Sequence, residues 1–534
     1  MNNLLLLGDE AIAQAALDAG LSGMYAYPGT PSTEIMEYIQ SSRTAEKRNI
    51  HRQWSANEKT AMEAALGMSY CGKRAMVAMK HVGLNVAADA FINSAMTGVN
   101  GGLIVVSADD PSMHSSQNEQ DSRFYGKFAN VACFEPSDQQ EAYEMIFDAF
   151  ELSEKFKLPV LFRITTRLAH SRASVTLREP LPEKNLILPS DPVQFVLLPA
   201  LARRKYKSLL ESYEKLKYEF RISKYNSFKD GEKRELGVIA CGIAYNYLME
   251  NLTDTPDMFP VLKVSAYPFP KDLVKDITDR CESVLVLEEG APVVEESLRG
   301  LLDEGIKIYG RLDGTVPRDG ELNPTIVARS LGMKTSFGSE IPSLVKNRPP
   351  SFCKGCGHSD VFNALIEALK SYNSGRVFSD IGCYTLGALP PYNSINSCVD
   401  MGASVTMAVG AADAGLFPSV SVIGDSTFTH SGMTGLLDAV VKGSPVTVII
   451  SDNSTTGMTG GQDSHATGRL VSICRGLGVE AGHIRELIPL RKNHEENAGI
   501  MREEFEFRGV SVIIAARECI QTAAKRKKAD SLNQ

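Results

Sequence analysis

No stretch of the 534 residues approaches the roughly 18 uninterrupted apolar residues that a membrane helix needs. The opening MNNLLLLGDEAIAQ also lacks the basic n-region and small-residue cleavage site of a secretory leader, so a cytoplasmic protein without membrane contact is expected. An excess of positive charge is missing as well: 56 Lys and Arg stand against 64 Asp and Glu, a formal charge of −8. Phosphate neutralisation needs clustered basic side chains, which argues against nucleic acid as the main partner. The KRKK at 525–528 is the one basic run, and a solvated tail is expected there. A disulfide framework is excluded too, because ten cysteines in so long a chain of a reducing compartment are each a small buried hydrophobe or a metal or redox ligand.

The composition, 43% hydrophobic and 22% charged, is that of a globular protein of two or three domains. The first part of the chain alternates short apolar runs with helical patterns, in the manner of βαβ units. RAMVAMKH (74–81), GLIVVSADD (102–110) and LPVLFRITT (158–166) read as buried strands ending in polar residues, and NEKTAMEAALGMSY (57–70) as a helix. A parallel sheet binds its ligands beyond the carboxyl ends of its strands, so function is expected at these tips. The charge-rich stretch 208–235 reads as helical and leads into a second set of strands, ELGVIACG, FPVLKVSAYP and SVLVLEEG. A Pro-bearing connection, SEIPSLVKNRPPSF, then enters a third set that includes SVSVIGDS (419–426) and VTVIISDN (446–453). The expectation is an α/β protein of three domains with mainly parallel sheets, bounded as 1–190, 191–340 and 341–534. The first and third are candidates for distant copies of one architecture.

Cys71, Cys133, Cys241, Cys281 and Cys474 lie in apolar or helical stretches and are expected in the core. Cys353 and Cys356 differ, because SFCKGCGHSD sets two thiols across a Gly-bearing tight turn. Taken alone, that pair fits a zinc site, with His358 as a nitrogen ligand, or redox exchange.

The strongest chemical signal runs from Gly424 to Gln462. A strand ends in Gly-Asp-Ser, a helix follows, and a second strand ends in Asp-Asn at 452–453. This order suits a metal-bridged diphosphate. Gly424 admits a phosphate close to the backbone, Asp425 supplies a hard oxygen ligand, and the helix N-terminus offers amide donors. Asn453 adds a second oxygen and the carbonyl of Thr455 a third. The spacing resembles the thiamine-diphosphate motif, with Ser426 in place of its last glycine. Thiamine chemistry also needs a carboxylate against the aminopyrimidine, to favour the tautomer that deprotonates the thiazolium carbon. Glu58, at the start of the 57–70 helix, is the candidate; as a bare helix-start glutamate it would be only a first-turn charge favoured by the helix dipole.

YPGTPSTEI (27–35), 57–85, DDPSMHSSQNEQDSR (109–123) and the Gly424–Gln462 segment together resemble the α subunits of the indolepyruvate ferredoxin oxidoreductases, a branch of the thiamine-dependent 2-oxoacid:ferredoxin oxidoreductases. The likeness covers nearly the whole chain. It implies a pyrimidine-binding domain (1–190), a middle domain like the transketolase C-terminal domain (191–340) and a diphosphate-binding domain (341–534), two of them thiamine-diphosphate-binding folds. By this resemblance Glu58 contacts the pyrimidine, Thr30 lies near the substrate carboxylate, and Lys80, His81, Gly83 and Asn85 belong to a loop beside the thiazolium. His81 and His114 are implied to bind the oxoacid or handle protons, against the plainer reading of hydrogen-bonded loop histidines. Met401 is implied to wedge the cofactor, with Gly402 allowing close approach.

The resemblance also implies that Cys353, Cys356, Cys383 and Cys519 hold one [4Fe-4S] cluster, thiolates being the ligands such clusters take. Cys398 is a decoy, only fifteen residues beyond Cys383. Many relatives continue into a ferredoxin-like domain with two further runs of cysteines. None occurs in this chain, so electrons are expected to leave through ferredoxin or a cluster-bearing subunit. The implied cofactors are thiamine diphosphate, Mg2+ held by Asp425, Asn453 and Thr455, and the cluster. The implied reaction is oxidative decarboxylation of a 2-oxoacid, an arylpyruvate such as indolepyruvate, with coenzyme A, in an α2β2 assembly with a β subunit. Two rivals stand beside it: a non-oxidative thiamine decarboxylase, which has no use for the four thiols, and a noncatalytic subunit, which would be expected to lack an acid or a metal ligand.

Overall fold

A computed structural model describes residues 3–191, 193–269, 271–299, 306–335, 341–346, 351–372 and 376–532. The chain divides into two compact units, Met1–Ser339 and Glu340–Gln534. The expected boundary at 340 and parts of the SEIPSLVKNRPPSF connection lie outside the described residues. Among the described residues no helix is long and apolar enough to cross a membrane.

The first unit holds two large sheets. The seven-stranded one runs in the order Ala266–Tyr267, Ala132–Phe134, Val160–Thr165, Leu103–Asp109, Ala75–Lys80, Gly23–Ala26, His51–Trp54. It is parallel except at the first edge, where Ala266–Tyr267 pairs antiparallel with Ala132–Phe134. Its central strands are buried at every position because helices cover both faces, which is why they read as unbroken apolar runs. The five-stranded sheet runs Lys307–Tyr309, Ser283–Leu287, Gly237–Cys241, Val261–Val264, Asn226–Lys229, with the last strand antiparallel.

Two expectations are corrected here. FPVLKVSAYP is not one strand: it breaks at Ser265, giving Val261–Val264 to the five-stranded sheet and Ala266–Tyr267 to the seven-stranded one. The helix read over 208–235 is Pro199–Arg221, and Asn226–Lys229 is a strand. Asn226 explains both. It is buried, its Oδ1 accepts from the backbone N–H groups of Ser265 and Ala266 at 3.0 and 3.1 Å, and its Nδ2 donates to the Phe220 and Ala266 carbonyls. This side chain therefore stitches the helix end to the strand break and outweighs local helix propensity.

The second unit is built on an all-parallel six-stranded sheet: Ser397–Cys398, Val377–Ser379, Ser419–Gly424, Val446–Asp452, Ser511–Ala516, Ile484–Leu487. Alternate residues feed two cores. Val422, Ile449 and Ile513 pack with the helices Gly357–Leu369 and His494–Glu506, whereas Ile423, Val448 and Ile514 pack with Ala403–Asp413 and Met433–Lys442. The KRKK run is exposed, as expected of a solvated segment, and forms part of the helix Ile520–Leu532. Of the five cysteines expected in the core, Cys133, Cys241, Cys281 and Cys474 are buried, while Cys71 is half-buried because it ends the helix Glu58–Tyr70.

Candidate active site

In the first unit, Asn57 caps the helix Glu58–Tyr70, its Oδ1 accepting from Thr60 N–H at 2.8 Å. This places Glu58 at the first helical position, where it is buried. Gly83 makes room for it: a Cβ there would meet Glu58 Oε1 at 2.5 Å. The segment Lys80–Asn85 is not a loop, as the resemblance implied, but a strand end and the first turns of the helix His81–Thr97. Its apolar strand and helix-forming continuation leave no loop between them.

Three strand tips converge near Lys80. Its Nζ donates to the Ser115 carbonyl at 2.9 Å and to Ser115 Oγ at 3.2 Å, and Ser115 Oγ reaches the Thr30 carbonyl at 3.2 Å. Asp110 organises this loop, accepting from Ser115 N–H at 2.8 Å and Ser116 Oγ at 2.6 Å. Burial pushes the Lys80 ammonium down to about 8, against the opposing pull of Asp110. His81, also buried, shares a 3.1 Å hydrogen bond between Nε2 and Asn118 Oδ1, and its Nδ1 has no hydrogen-bond partner. His114 belongs to the same loop but is half exposed, 3.2 Å from Glu321 Oε2. The structure thus brings Thr30, Lys80 and His81 to one loop and places the His114 ring against Glu321, outside that set.

In the second unit, the strand Ser419–Gly424 passes directly into helix at Asp425, and Val446–Asp452 ends beside it. Gly424 is required by Tyr384, since a Cβ would meet that ring at 2.6 Å. Asp425 is buried, and its Oδ2 has no hydrogen-bond partner. Burial, reinforced by the Asp452 charge, pushes its carboxyl up to about 7. A buried carboxylate oxygen left without a donor is costly, and a cation at that point would remove the cost. Ser426 Oγ accepts from Thr456 Oγ1 at 3.1 Å, and Asn453 Oδ1 accepts from Thr455 N–H at 3.1 Å.

Asp380, which sequence reasoning missed, organises the other side. It accepts from the Tyr384 hydroxyl, from Ser404 Oγ at 2.6 Å and from Gly402 N–H at 3.2 Å, fixing the turn that carries half-buried Met401. Burial raises its carboxyl to about 6 despite these donors. Ser404, three residues from Met401, gave no sign of this in the sequence, because the contact joins the end of the strand Val377–Ser379 to the start of the helix Ala403–Asp413.

Cys353, Cys356, Cys383 and Cys519 line a single cavity of about 240 Å³ together with Asp452, Asn453 and Lys525. Backbone bonds join this cavity to the Asp452–Asn453 strand end: Cys519 N–H donates to the Asn453 carbonyl at 3.0 Å and Arg517 N–H to that of Asp452 at 2.9 Å. Gln521 Nε2 lies 3.6 Å from Cys353 Sγ, and Lys525 Nζ donates to the Gly460 carbonyl at 2.7 Å. Burial and the neighbouring thiols push Cys383 up to about 11 and Cys356 upward. His358 Nδ1 lies 3.2 Å from Cys356 Sγ, and burial holds that imidazole neutral, near 4. Cys398, on the edge strand, instead faces the Asp380 carbonyl at 3.6 Å.

Residues 14–217 match the family described as pyruvate flavodoxin/ferredoxin oxidoreductase, thiamine diphosphate-binding, and residues 380–512 match the C-terminal thiamine pyrophosphate-binding domain of thiamine pyrophosphate enzymes. The indolepyruvate oxidoreductase subunit IorA of Archaeoglobus fulgidus is 39% identical, over 98% of this chain and 88% of its own length. That of Pyrococcus abyssi is 38% identical, over 97% and 85%. The chain belongs to the indolepyruvate oxidoreductase subunit IorA family. More distantly, the 2-oxoglutarate synthase subunit KorA of A. fulgidus is 25% identical over 58% of the chain and 95% of its own length. A solved 2-oxoglutarate:ferredoxin oxidoreductase from Magnetococcus marinus superposes with a TM-score of 0.50 at 16% identity, over 62% of this chain and 65% of that one, and shares the fold. Both thiamine-diphosphate-binding regions of this IorA family member are therefore present, and each carries one of the two constellations described above.

Proposed function

We propose that this IorA family chain carries the oxidative decarboxylation of a 2-oxoacid, an arylpyruvate such as indolepyruvate, with coenzyme A, giving an acyl-CoA, carbon dioxide and reduced ferredoxin. Domains 1–190, 191–340 and 341–534 are assigned to the pyrimidine, middle and diphosphate roles. Thiamine diphosphate supplies the carbon nucleophile and electron sink for decarboxylation, and a [4Fe-4S] cluster takes up electrons singly. Glu58 is assigned to the aminopyrimidine, and Asp425, Asn453 and the Thr455 carbonyl to Mg2+ on the diphosphate. Gly424, Ser426, Met401 and Gly402 are assigned to the cofactor, and Thr30 and His81 to the oxoacid. His114 keeps a substrate role only by leaving Glu321. A β subunit in an α2β2 assembly, and ferredoxin or a cluster-bearing subunit, complete the system.

The observation that carries the redox part is the four-thiol cavity joined by backbone to the Asp452–Asn453 strand end. Four thiols lining one cavity are the donor set that an iron–sulfur cluster takes. A non-oxidative decarboxylase gives the thiols no role, and a noncatalytic subunit gives none to the orphan oxygen of Asp425.

The test is anaerobic purification with the natural partner, iron and sulfide assay, and a panel of oxoacids with viologen or ferredoxin as acceptor. About four iron per chain and coenzyme A-dependent acceptor reduction, lost in Glu58→Gln, are expected. Aldehyde formation without acceptor reduction would replace this reading with the non-oxidative one.

A further inference from the structure

Away from these residues, three side chains of the first unit converge without an assigned purpose. Asp9 stands in the first turn of the helix Gly8–Asp18, Glu34 in the first turn of Thr33–Ser41, and His170 ends the helix Thr166–His170. One ligand atom from each lies within 4.8 Å of the other two. Asp9 is fully buried, and no donor side chain or backbone N–H reaches either of its carboxylate oxygens or Glu34 Oε2; the two carboxyls meet only each other there. The charges that bear most on Asp9 are those of Glu34 and Glu10, both negative, so burial and repulsion together push its carboxyl well above the ordinary range. Glu10 is itself engaged by the Leu7 N–H and by Arg172.

We propose that Asp9, Glu34 and His170 form a divalent-cation site of zinc type at the base of the loop that carries Thr30. One imidazole nitrogen and two carboxylate oxygens are a donor set that suits zinc and leaves a fourth position open. His170 Nε2 and Glu34 Oε1 are 3.5 Å apart. The edge of a tetrahedron with metal bonds of about 2.1 Å is about 3.4 Å, so these two ligands already stand at coordinating separation. The bound ion would neutralise the buried pair of carboxylates and tie three helices together, one of which, Thr33–Ser41, continues directly from the YPGTP turn. Glu34 and His170 are each about one-third exposed, at 35% of their side-chain surface, which gives the ion a path from solvent. The competing arrangement is a proton shared by Asp9 and Glu34 beside a charged His170.

The proposal is independent of the thiamine chemistry. The full chain, with its cofactors, is equilibrated with Zn2+, freed of unbound metal by gel filtration and analysed for zinc. Asp9→Asn, His170→Gln and Asp425→Asn are treated in parallel, so that zinc held elsewhere cancels in the comparison. One zinc per chain more than in Asp9→Asn or His170→Gln is expected, with affinity roughly tenfold or more lower in both variants, and Asp425→Asn is expected to keep that zinc. In the unmodified protein zinc should also raise the unfolding temperature, reversed by chelator. Equal zinc in the unmodified chain and in Asp9→Asn and His170→Gln, or no zinc-dependent rise in unfolding temperature, overturns the proposal in favour of the shared proton.

Discussion

At the scale of single residues the balance of burial against pairing decides the chemistry, and Lys80 shows it most directly. Its ammonium is buried at a strand tip among Ser115, Thr30 and Asp110, and titrates near 8 rather than near 10.5. The group is therefore charged below about pH 8 and neutral above it. With the oxoacid carboxylate held at Thr30, as proposed, that charge favours binding, so kcat/KM is expected to fall as pH rises through 8. Lys80→Met removes one charge-assisted contact of about 1.5–3 kcal/mol, so kcat/KM should drop about 10- to 100-fold below pH 8. The alkaline limb should vanish in the variant. A pH–rate profile that keeps its limb in Lys80→Met would assign the titration to another group. The sequence made Glu58 and Asp425 legible, since each stands at a strand or helix boundary within a recognisable run. It left Lys80 as one member of a run, Asp380 unnoticed and the Asp9–Glu34–His170 trio unseen. Those side chains acquire meaning only from partners on other elements.

At the scale of elements, the parallel strands were readable because two-sided burial writes them as continuous apolar runs. The helix over 57–70 was readable because Asn57, a capping residue, precedes its apolar face. What local pattern did not carry is long-range competition. Asn226 ends one helix and splits FPVLKVSAYP between two sheets by bonds to residues about forty positions away. The packing of Glu58–Tyr70 against His81–Thr97 yields a further prediction. Gly83→Ala gains about 1 kcal/mol of helix propensity but sets a Cβ 2.5 Å from Glu58 Oε1, so the carboxylate must move. Thermal stability should change by only a few degrees. Turnover should fall by about 100-fold or more, the scale of losing a placed acid–base group. Measuring kcat beside the melting curve separates the two effects, and unchanged turnover would remove Glu58 from its assigned role.

At the scale of the whole molecule the first unit is expected to open as one body despite its two sheets. A single apolar core runs from Leu6 to Val327 through both of them. Beside it lies a buried charge network that no stretch of sequence announces. Arg123 donates to Asp121 at 2.6 Å, to Glu288 at 2.9 Å and to the Ala291 carbonyl, while Arg163 pairs with Asp109 at 2.6 Å and with Glu135. Burial pushes Asp121 up, but Arg123 and Arg163 outweigh it and hold its carboxyl below the ordinary range. Such a network is weak evidence of net stabilisation, yet removing one member strands the others: an uncompensated buried charge costs about 3–5 kcal/mol. Arg123→Met leaves Glu288 without its arginine and Asp121 with Arg163 alone, so amide exchange should accelerate together in segments 121–135 and 283–291, on the two sheets that Arg123 joins. Exchange in 419–424 and 446–452 should stay unchanged, since those strands belong to the other unit with its separate cores. Hydrogen-exchange mass spectrometry reads both sets in one sample. Acceleration confined to 121–135 would mean that the two sheets of the first unit open independently, and that neither their shared core nor Arg123 couples them.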